Sequence, residues 1–181
     1  MLPKALWNPI GAKLLRLTFH NWYGVRRRIL RAWGANLADA TRIRASARIS
    51  APWNLTMGEE SSIGNGAVIQ ADAPITIGRF VTISQHATLF AAAMGPGAEL
   101  YAKSAGPAPI TIDDDAWIST DAFVGPGVHV AEGALLGSKG TAFHDLKPWT
   151  IYGGDPAKAL KARPPVIERQ KQAEPSAPTT P

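Results

Sequence analysis

Histidine is the side chain of this sequence best suited to move a proton near neutral pH, and the chain of 181 residues contains four. His20, His86, His129 and His144 stand well apart, and their spacing matches no usual set of metal ligands. The chain has no cysteine, which excludes a thiol nucleophile and a disulfide framework and suits a reducing compartment. The sequence thus offers neither a thiol nucleophile nor a recognisable metal-ligand cluster.

The elements that position these histidines are predicted by an aliphatic residue at every sixth position. Six is a multiple of the two-residue alternation of a strand, and no single helix fits such a period over about 95 residues. We call this six-residue spacing the beat. It is lengthened by two residues after Ile49 and after Ile69, and it is interrupted between residues 91 and 109. Its positions are Ile43, Ile49, Met57, Ile63, Ile69, Ile77, Ile83, Leu89, Ile112, Ile118, Val124, Val130 and Leu136.

This period predicts short strands joined by tight corners and stacked into a β-helix, in which each coil buries its aliphatic residues against the neighbouring coils. Glycine has no Cβ and therefore suits the corners. A Gly-rich β-sandwich is the alternative, but sandwiches vary their strand and loop lengths, whereas the beats from Ile112 to Leu136 are uninterrupted. Four glycines directly follow inward aliphatic residues: Gly64, Gly78, Gly125 and Gly137.

The net charge of +5 is unevenly distributed. Residues 1–45 carry nine Lys and Arg against one acid, residues 46–155 five against eleven, and residues 156–181 five against two. Basic ends suit anionic lipid, nucleic acid or a phosphate-bearing substrate, or are simply solvated. The arginines at 26–31 are not interleaved with the stacking aromatics of a nucleic-acid module, so no nucleic-acid partner is expected. No apolar run suits a signal peptide or a membrane span, which predicts a cytoplasmic protein.

Three regions are predicted along the chain. Residues 1–40 form an N-terminal helical cap, residues 41–163 form the β-helix with a loop at 91–109, and the Pro-rich residues 164–181 form a disordered tail. A short C-terminal helix is expected from Lys158 to Arg163.

Within the cap, a helix is predicted over residues 21–33, with four arginines around one apolar stripe. The stripe either packs on the end of the β-helix and covers the open edge of the first coil, or it touches the inner face of a membrane. The stripe consists of Trp22, Val25, Ile29, Leu30 and Trp33, and the arginines are Arg26, Arg27, Arg28 and Arg31.

Several strings along residues 20–163 resemble the hexapeptide-repeat acyltransferases, and most of all the colanic-acid-type polysaccharide O-acetyltransferases. The most specific are Asp121-Ala122-Phe123-Val124-Gly125-Pro126-Gly127-Val128 and Gly154-Asp155-Pro156-Ala157-Lys158, joined by Pro52-Trp53-Asn54-Leu55, Ala73-Pro74-Ile75-Thr76-Ile77-Gly78, Ile83-Ser84-Gln85-His86-Ala87, Asp115-Ala116-Trp117-Ile118 and Pro148-Trp149-Thr150.

The resemblance implies a single-stranded left-handed parallel β-helix, with the N-terminal helical segment and the short C-terminal helix at its ends. It also implies a homotrimer with acetyl-CoA, the acyl donor, in the cleft between neighbouring β-helices. The implied reaction is acetyl transfer to a sugar hydroxyl. A histidine acts as general base, backbone N–H groups stabilise the oxyanion, and no metal takes part.

The sequence departs from this pattern at the general base. In the family that histidine lies in the long loop, and Met94 stands in its place here, followed by Gly95. The loop 91–109 contains no histidine; its ionisable residues are Glu99, Tyr101 and Lys103. A methionine cannot accept a proton. The chain is therefore an inactive relative, or it uses another base, or its loop binds a different acceptor and aligns differently.

His86 is the substitute base that we consider first, because it lies one face of the coil before the loop; a structural corner residue is the alternative. The resemblance assigns cofactor contacts to Trp117, Thr120, Ser138, His144, Lys158 and Lys161. Trp117 is also consistent with a wall residue that packs the trimer, and the two lysines are also consistent with solvated side chains. His129 is expected to point outward into solvent.

Two functions remain in competition. The first is an acetyl-CoA-dependent O-acetyltransferase that acts on a sugar in exopolysaccharide or cell-surface polysaccharide biosynthesis. The second is a catalytically inactive trimeric β-helix that serves as a scaffold or as the partner of an active relative.

Overall fold

The protein is a coil of short parallel strands. The structure, a computed structural model, describes residues 2–165, and each turn of the coil adds one strand to each of three sheets, which we name A, B and C in chain order. Sheet A contains β1 (Asn36–Leu37), β4 (Leu55–Met57), β7 (Ile75–Ile77), β10 (Ile110–Ile112) and β13 (His129–Val130). Sheet B contains β2 (Arg42–Ile43), β5 (Ser62–Ile63), β8 (Thr82–Ile83), β11 (Trp117–Ile118), β14 (Leu135–Leu136), β16 (Thr150–Gly153) and β17 (Lys158–Ala162). Sheet C contains β3 (Arg48–Ile49), β6 (Val68–Gln70), β9 (Thr88–Phe90), β12 (Phe123–Val124) and β15 (Thr141–Ala142).

The predicted β-helix is confirmed, because every aliphatic residue of the six-residue beat is buried inside the coil. In sheet B, Ile63 pairs with Ile43 below it and with Ile83 above it. The two slips of the beat lie at corners between sheets C and A. A 3-10 turn at Pro52–Asn54 forms the first, and residues 71–74 form the second. The extra residues therefore enlarge a corner and leave the strand register intact.

The glycines of the corners are required by the close approach of the next coil. A Cβ on Gly64 would lie 2.6 Å from the backbone nitrogen of Gln85, and one on Gly78 would lie 2.4 Å from Oδ1 of Asp114. Neither glycine has a positive φ. Contact between coils, and not left-handed backbone, therefore explains these two positions.

The N-terminal segment closes the first coil. It contains a 3-10 turn (Lys4–Leu6), a π-helical turn (Trp7–Gly11), α1 (Ala12–Arg16) and α2 (Tyr23–Ala32). No coil lies beneath the first one, so the carbonyl groups on its lower edge have no strand to donate to them. Side chains of the cap donate to four of them instead: Arg31 to Leu37, Arg27 to Thr41, Arg26 to Ile43 and Trp7 to Ile49.

Two details of the cap differ from the sequence prediction. β1 lies inside the segment 1–40 that was predicted to be helical, so the coil begins earlier than residue 41. The apolar stripe of α2 is only partly inward: Leu30 and Trp33 are buried, whereas Trp22 and Val25 are exposed. Arg26 occupies the inward face because the edge carbonyls need a donor there.

The predicted C-terminal helix from Lys158 to Arg163 is wrong. Lys158–Ala162 forms β17, which pairs antiparallel with β16 after the chain reverses through residues 154–157. β16 would otherwise expose its unpaired hydrogen-bonding groups at the top of sheet B, and a reversed strand satisfies them. The predicted disordered tail falls mainly on residues 166–181, which lie outside the described residues. Within residues 2–165, no helix is long and apolar enough to cross a bilayer.

Candidate active site

The corners between sheets B and C stack into one column, which we call the site edge. It consists of residues 84–87, 119–122 and 137–140 of three successive coils, together with Trp117. Backbone hydrogen bonds join the coils: the Asp121 N–H donates to the Gln85 carbonyl at 3.2 Å, and the Lys139 N–H donates to the Thr120 carbonyl at 3.0 Å. The column therefore brings together His86, Thr120 and Ser138, which lie far apart in the sequence.

His86 lies at the lower end of the site edge and is exposed. Its backbone is left-handed, with a φ of 59°. Its imidazole lies over Gly66, where a Cβ would come within 2.5 Å of Nδ1, so the absence of a side chain at Gly66 makes room for the ring. Among the described residues, none forms a side-chain hydrogen bond with the ring, which leaves both ring nitrogens available.

A groove of about 620 Å³ runs beside His86 across the first three coils. Most of the residues in its wall have polar side chains, with Asn65, Gln85 and Ser84 near the histidine and Arg42 and Arg44 further down. Such a wall offers hydrogen-bond donors and acceptors for a polyhydroxylated molecule.

Trp117 joins the site edge to the outer surface of sheet B. Its indole N–H donates to the hydroxyl of Ser84 at 2.9 Å, and 42% of the residue is exposed. Ser84 precedes His86 by two residues, so Trp117 stands directly above the groove.

The predicted phosphate-binding lysines lie at the top of sheet B. Lys158 pairs with Gly153 and Lys161 pairs with Ile151 across the β16–β17 ladder, and both lysines are exposed. Lys139, which the sequence analysis did not single out, adds a third exposed cation beside Ser138. The upper end of the site edge therefore carries three lysines, and Asp121 lies on the same edge one coil below Lys139.

Met94 lies at a different corner of the coil, between sheets C and A. The loop 91–109 leaves β9 there and returns to β10. The Met94 N–H donates to the Ala105 carbonyl at 2.9 Å, which ties the two arms of the loop together. The tip carries Leu100, which is 86% exposed.

Lys103 and Asp145 fasten this loop to the fifth coil. The ammonium Nζ lies 2.7 and 2.8 Å from the two carboxylate oxygens. Burial alone would raise the pKa of Asp145, but hydrogen bonds from Lys103 and from the His129 N–H outweigh it and hold the pKa below its ordinary value. His144, the neighbour of this anchor, is exposed at the same corner and is not on the site edge.

One pair of residues was missed by the sequence analysis. Nε2 of His129 lies 2.7 Å from Oδ2 of Asp113, so His129 is not simply solvated. The strand register explains why the two side chains meet. Thr111 pairs with His129, and Asp113 follows Thr111 by two residues on the same outward face. The pair lies on sheet A, on the far side of the coil from Thr120 and Ser138.

The predicted site residues thus fall into two groups within one chain. His86, Trp117, Thr120, Ser138, Lys158 and Lys161 adjoin the site edge, whereas Met94 and His144 adjoin the loop. Sheet C separates the groups by one side of the coil, roughly 15–20 Å. Its outer surface carries a column of aromatic rings, Phe90, Phe123 and Phe143, with centroids 5.9 and 5.8 Å apart.

No metal centre accompanies either group. Across residues 2–165, no three His, Asp or Glu side chains converge in a way that could hold an ion.

Comparison with known proteins gives consistent relatives. No protein-family model matches the chain. WcaF of Escherichia coli K12, whose name assigns it an acetyl transfer in colanic acid biosynthesis, is 30% identical over 158 residues, which are 87% of this chain and 86% of WcaF. A maltose O-acetyltransferase from Clostridium difficile 630 superposes with a TM-score of 0.75 at 22% identity, over 87% of this chain and 85% of that one. A hexapeptide-repeat acetyltransferase from Vibrio cholerae, crystallised with acetyl-CoA, superposes with a TM-score of 0.66 at 23% identity, over 88% of this chain and 87% of that one.

Proposed function

Because this chain belongs to the hexapeptide-repeat acetyltransferase family that includes WcaF, we propose that it transfers an acetyl group from acetyl-CoA to a sugar hydroxyl. The acceptor is a sugar of an exopolysaccharide or a cell-surface polysaccharide. The observation that carries the proposal is the site edge, where Gln85, Thr120 and Ser138 stack next to His86 and beside an exposed tryptophan.

The site edge suits an acyl-CoA donor. Thr120 and Ser138 offer small polar groups and backbone amides along the column, as an extended pantetheine arm requires. Lys139, Lys158 and Lys161 supply cations at the upper end, where the phosphates of the nucleotide would lie. The arm would then run down the edge, with the acyl group toward His86.

His86 is the residue that we assign as general base in place of the missing loop histidine. The hydroxyl oxygen of the sugar attacks the thioester carbon, a C–O bond forms, and the C–S bond breaks. The hydroxyl proton passes to the imidazole and from there to the departing sulfur, so the products are an acetyl ester and a free thiol. A positioned base is worth about 10²–10⁴-fold in rate. The polar groove beside His86 would hold the sugar.

A homotrimer would complete this site. Met94, His144 and the exposed loop tip lie one side of the coil away from the site edge, so a single chain does not join them. In a threefold assembly, the loop of one protomer would reach the site edge of the next.

A scaffold without catalytic activity is the second candidate, and Met94 favours it. The loop position that carries the base in the family has no proton acceptor here, and Lys103 of the same loop is engaged with Asp145. In this case the groove and the site edge would serve assembly only.

Calorimetric titration with acetyl-CoA tests the donor site without any knowledge of the acceptor. We expect micromolar binding, about −8 kcal/mol. Thr120→Trp should abolish binding because the indole would fill the site edge. Thr76→Trp, at an exposed position on sheet A, is the matched control and should bind normally. Absence of binding by the wild-type protein would contradict the proposal.

Turnover with a panel of sugars, followed as release of the free thiol, separates the two candidates. If the protein is the proposed enzyme, His86→Gln should lower the rate of acetyl transfer and His129→Gln should leave that rate unchanged. The opposite result would move the base to the His129–Asp113 pair. Binding of acetyl-CoA with turnover only by Met94→His would identify an inactive relative.

A further inference from the structure

The N-terminal segment exposes an unusual share of the large hydrophobic side chains. Within residues 2–165 there are twelve such exposed side chains, and eight of them lie between residues 2 and 25. Leu17 and Phe19 are the most exposed of these, at 80% and 68%. The eight are Leu2, Leu6, Ile10, Leu14, Leu17, Phe19, Trp22 and Val25; we call their surface the N-terminal face.

Several residues of the N-terminal face lie close together. Leu6, Ile10 and Leu14 are four residues apart along consecutive turns, so they lie in one row. Each directly precedes a residue that packs inward, namely Trp7, Gly11 and Leu15. At the end of the row the rings of Phe19 and Trp22 are in contact, with centroids 5.4 Å apart.

The charges around this face are all positive. Residues 2–38 contain seven Lys and Arg and no acid, and Asp39, the first acid, is paired with Arg31 at 2.7 Å. Lys13 follows Ile10 by three residues and precedes Leu17 by four, so it lies within the apolar row. Arg16 and Arg28 are exposed nearby, and Arg48 of the first coil lines the same surface hollow as Arg16.

We propose that the N-terminal face docks on the surface of a bilayer that contains anionic phospholipid. Exposed Leu, Phe and Trp side chains enter the boundary between headgroups and acyl chains, and the surrounding cations meet the lipid phosphates. The sequence placed such a contact at residues 21–33. The structure moves it to residues 2–25, because α2 turns Arg26, Leu30 and Trp33 inward.

The docked orientation has a consequence for the acceptor, which rests on the proposed function. Tyr23 of α2 lines the groove beside His86. The groove therefore opens next to the N-terminal face, within reach of a sugar carried on a membrane lipid. The upper end of the site edge, with its lysines, points away from the bilayer toward the aqueous acetyl-CoA.

Flotation of the full chain with vesicles tests the docking independently of any enzymatic activity. We expect the protein to float with vesicles of phosphatidylglycerol and phosphatidylethanolamine and to stay behind with pure phosphatidylcholine. Leu17→Ser/Phe19→Ser/Trp22→Ser should lower binding at least tenfold. Lys13→Gln and Arg16→Gln should each lower it about fivefold, and added salt should weaken it further.

The controls separate lipid docking from other causes. Leu100→Ser/Leu160→Ser removes two exposed leucines elsewhere and should leave vesicle binding unchanged. Circular dichroism should show the triple variant folded, because its three side chains are exposed. Equal flotation of the wild-type chain and the triple variant overturns the proposal. The proposal is also overturned if the wild-type chain does not float and light scattering gives a lower mass for the triple variant than for the wild type. The N-terminal face would then be a contact between copies of the chain.

Discussion

His86 sits at a corner position where the backbone is left-handed, with a φ of 59°. A non-glycine residue there costs roughly 1–2 kcal/mol. Histidine tolerates this region better than most residues, and other corners of the coil, such as those at Glu60 and Asp121, adopt the same conformation. The equivalent position one coil below is Gly66, which has the same conformation without the cost. The imidazole is therefore retained at a position where glycine would be easier to fold.

His86→Gly separates the two roles of this residue. We expect the variant to be as stable as the wild-type protein or up to about 1 kcal/mol more stable. Glycine adopts a positive φ without steric strain, and this gain exceeds the extra backbone entropy that glycine loses on folding. Acetyl transfer should fall about 10²–10⁴-fold. Urea unfolding and thiol release measure the two effects.

Glu60→Gly is the control, because Glu60 has a φ of 56° at a corner of another coil. It should show a similar change in stability, which isolates the effect of the positive φ. A clear loss of stability in His86→Gly would show that the imidazole is a structural part of the corner.

At the scale of elements, the cap is fixed by polar contacts as much as by apolar packing. Arg26 is completely buried. Its guanidinium donates to Thr18 and to the carbonyls of Phe19, His20 and Ile43, and it lies 4.8 Å from the Tyr23 ring. Burial lowers the pKa of Arg26, yet a guanidinium remains charged in proteins. One side chain thus joins α2, the turn before it and the first coil.

Arg26→Leu should therefore destabilise the protein by about 3 kcal/mol or more, because four buried or partly buried acceptors lose their donor at once. Arg28→Leu, two residues on and exposed, should stay within about 0.5 kcal/mol. Denaturant melts of both variants give the comparison. Equal stability of the two variants would mean that water replaces the guanidinium at the edge.

The loop is an element whose attachment depends on pH. The pKa of Asp145 is lowered in the folded protein, so its contribution to stability is complete above the unfolded pKa of about 4 and is lost as the pH falls through the folded pKa. Both partners are close to half exposed, so the Lys103–Asp145 pair is worth at most about 1 kcal/mol after screening.

Limited proteolysis of the loop 91–109 should accordingly become faster below about pH 4. In Asp145→Asn it should be faster already at pH 7, with little further change on acidification. Glu59→Gln, at an exposed corner between sheets A and B, is the control carboxylate. A wild-type loop whose protection does not change between pH 7 and pH 3 would contradict this role of Asp145.

At the scale of the whole molecule, the two ends of the coil differ in chemistry. The cap combines cations with exposed apolar side chains, the body is acidic, and the top of sheet B carries lysines. The site edge runs between these ends, whereas the loop stands on the next corner. Under the proposed function, an active assembly would combine the edge of one chain with the loop of another.

Complementation between protomers tests that arrangement. Chains that carry Thr120→Trp block the site edge, and chains that carry a deletion within the loop 91–109 lose the loop. Each variant alone should be inactive. Co-expression of the two variants should recover about a quarter of wild-type activity. In randomly assembled rings, about a quarter of the sites combine an intact edge from one chain with an intact loop from its neighbour. Light scattering should give three chains per particle. No recovery in mixed trimers would place the complete site within one chain.

The sequence by itself determined the repeat, the burial of its aliphatic positions and the resemblance to acetyltransferases, because these depend on a short period that each coil repeats locally. It also predicted that the residues of the loop and of the site edge belong to one kind of site. Only the tertiary structure decided that Lys158–Ala162 is a strand and that Arg26 is buried. Both satisfy hydrogen-bonding groups that would otherwise be unpaired at the two ends of the coil. The same holds for the presence of His86, Thr120 and Ser138 on one corner of the coil and of Met94 and His144 on another. Which side chains meet across a coil is set by register between residues far apart in the chain, and register depends on corner lengths that no local pattern fixes.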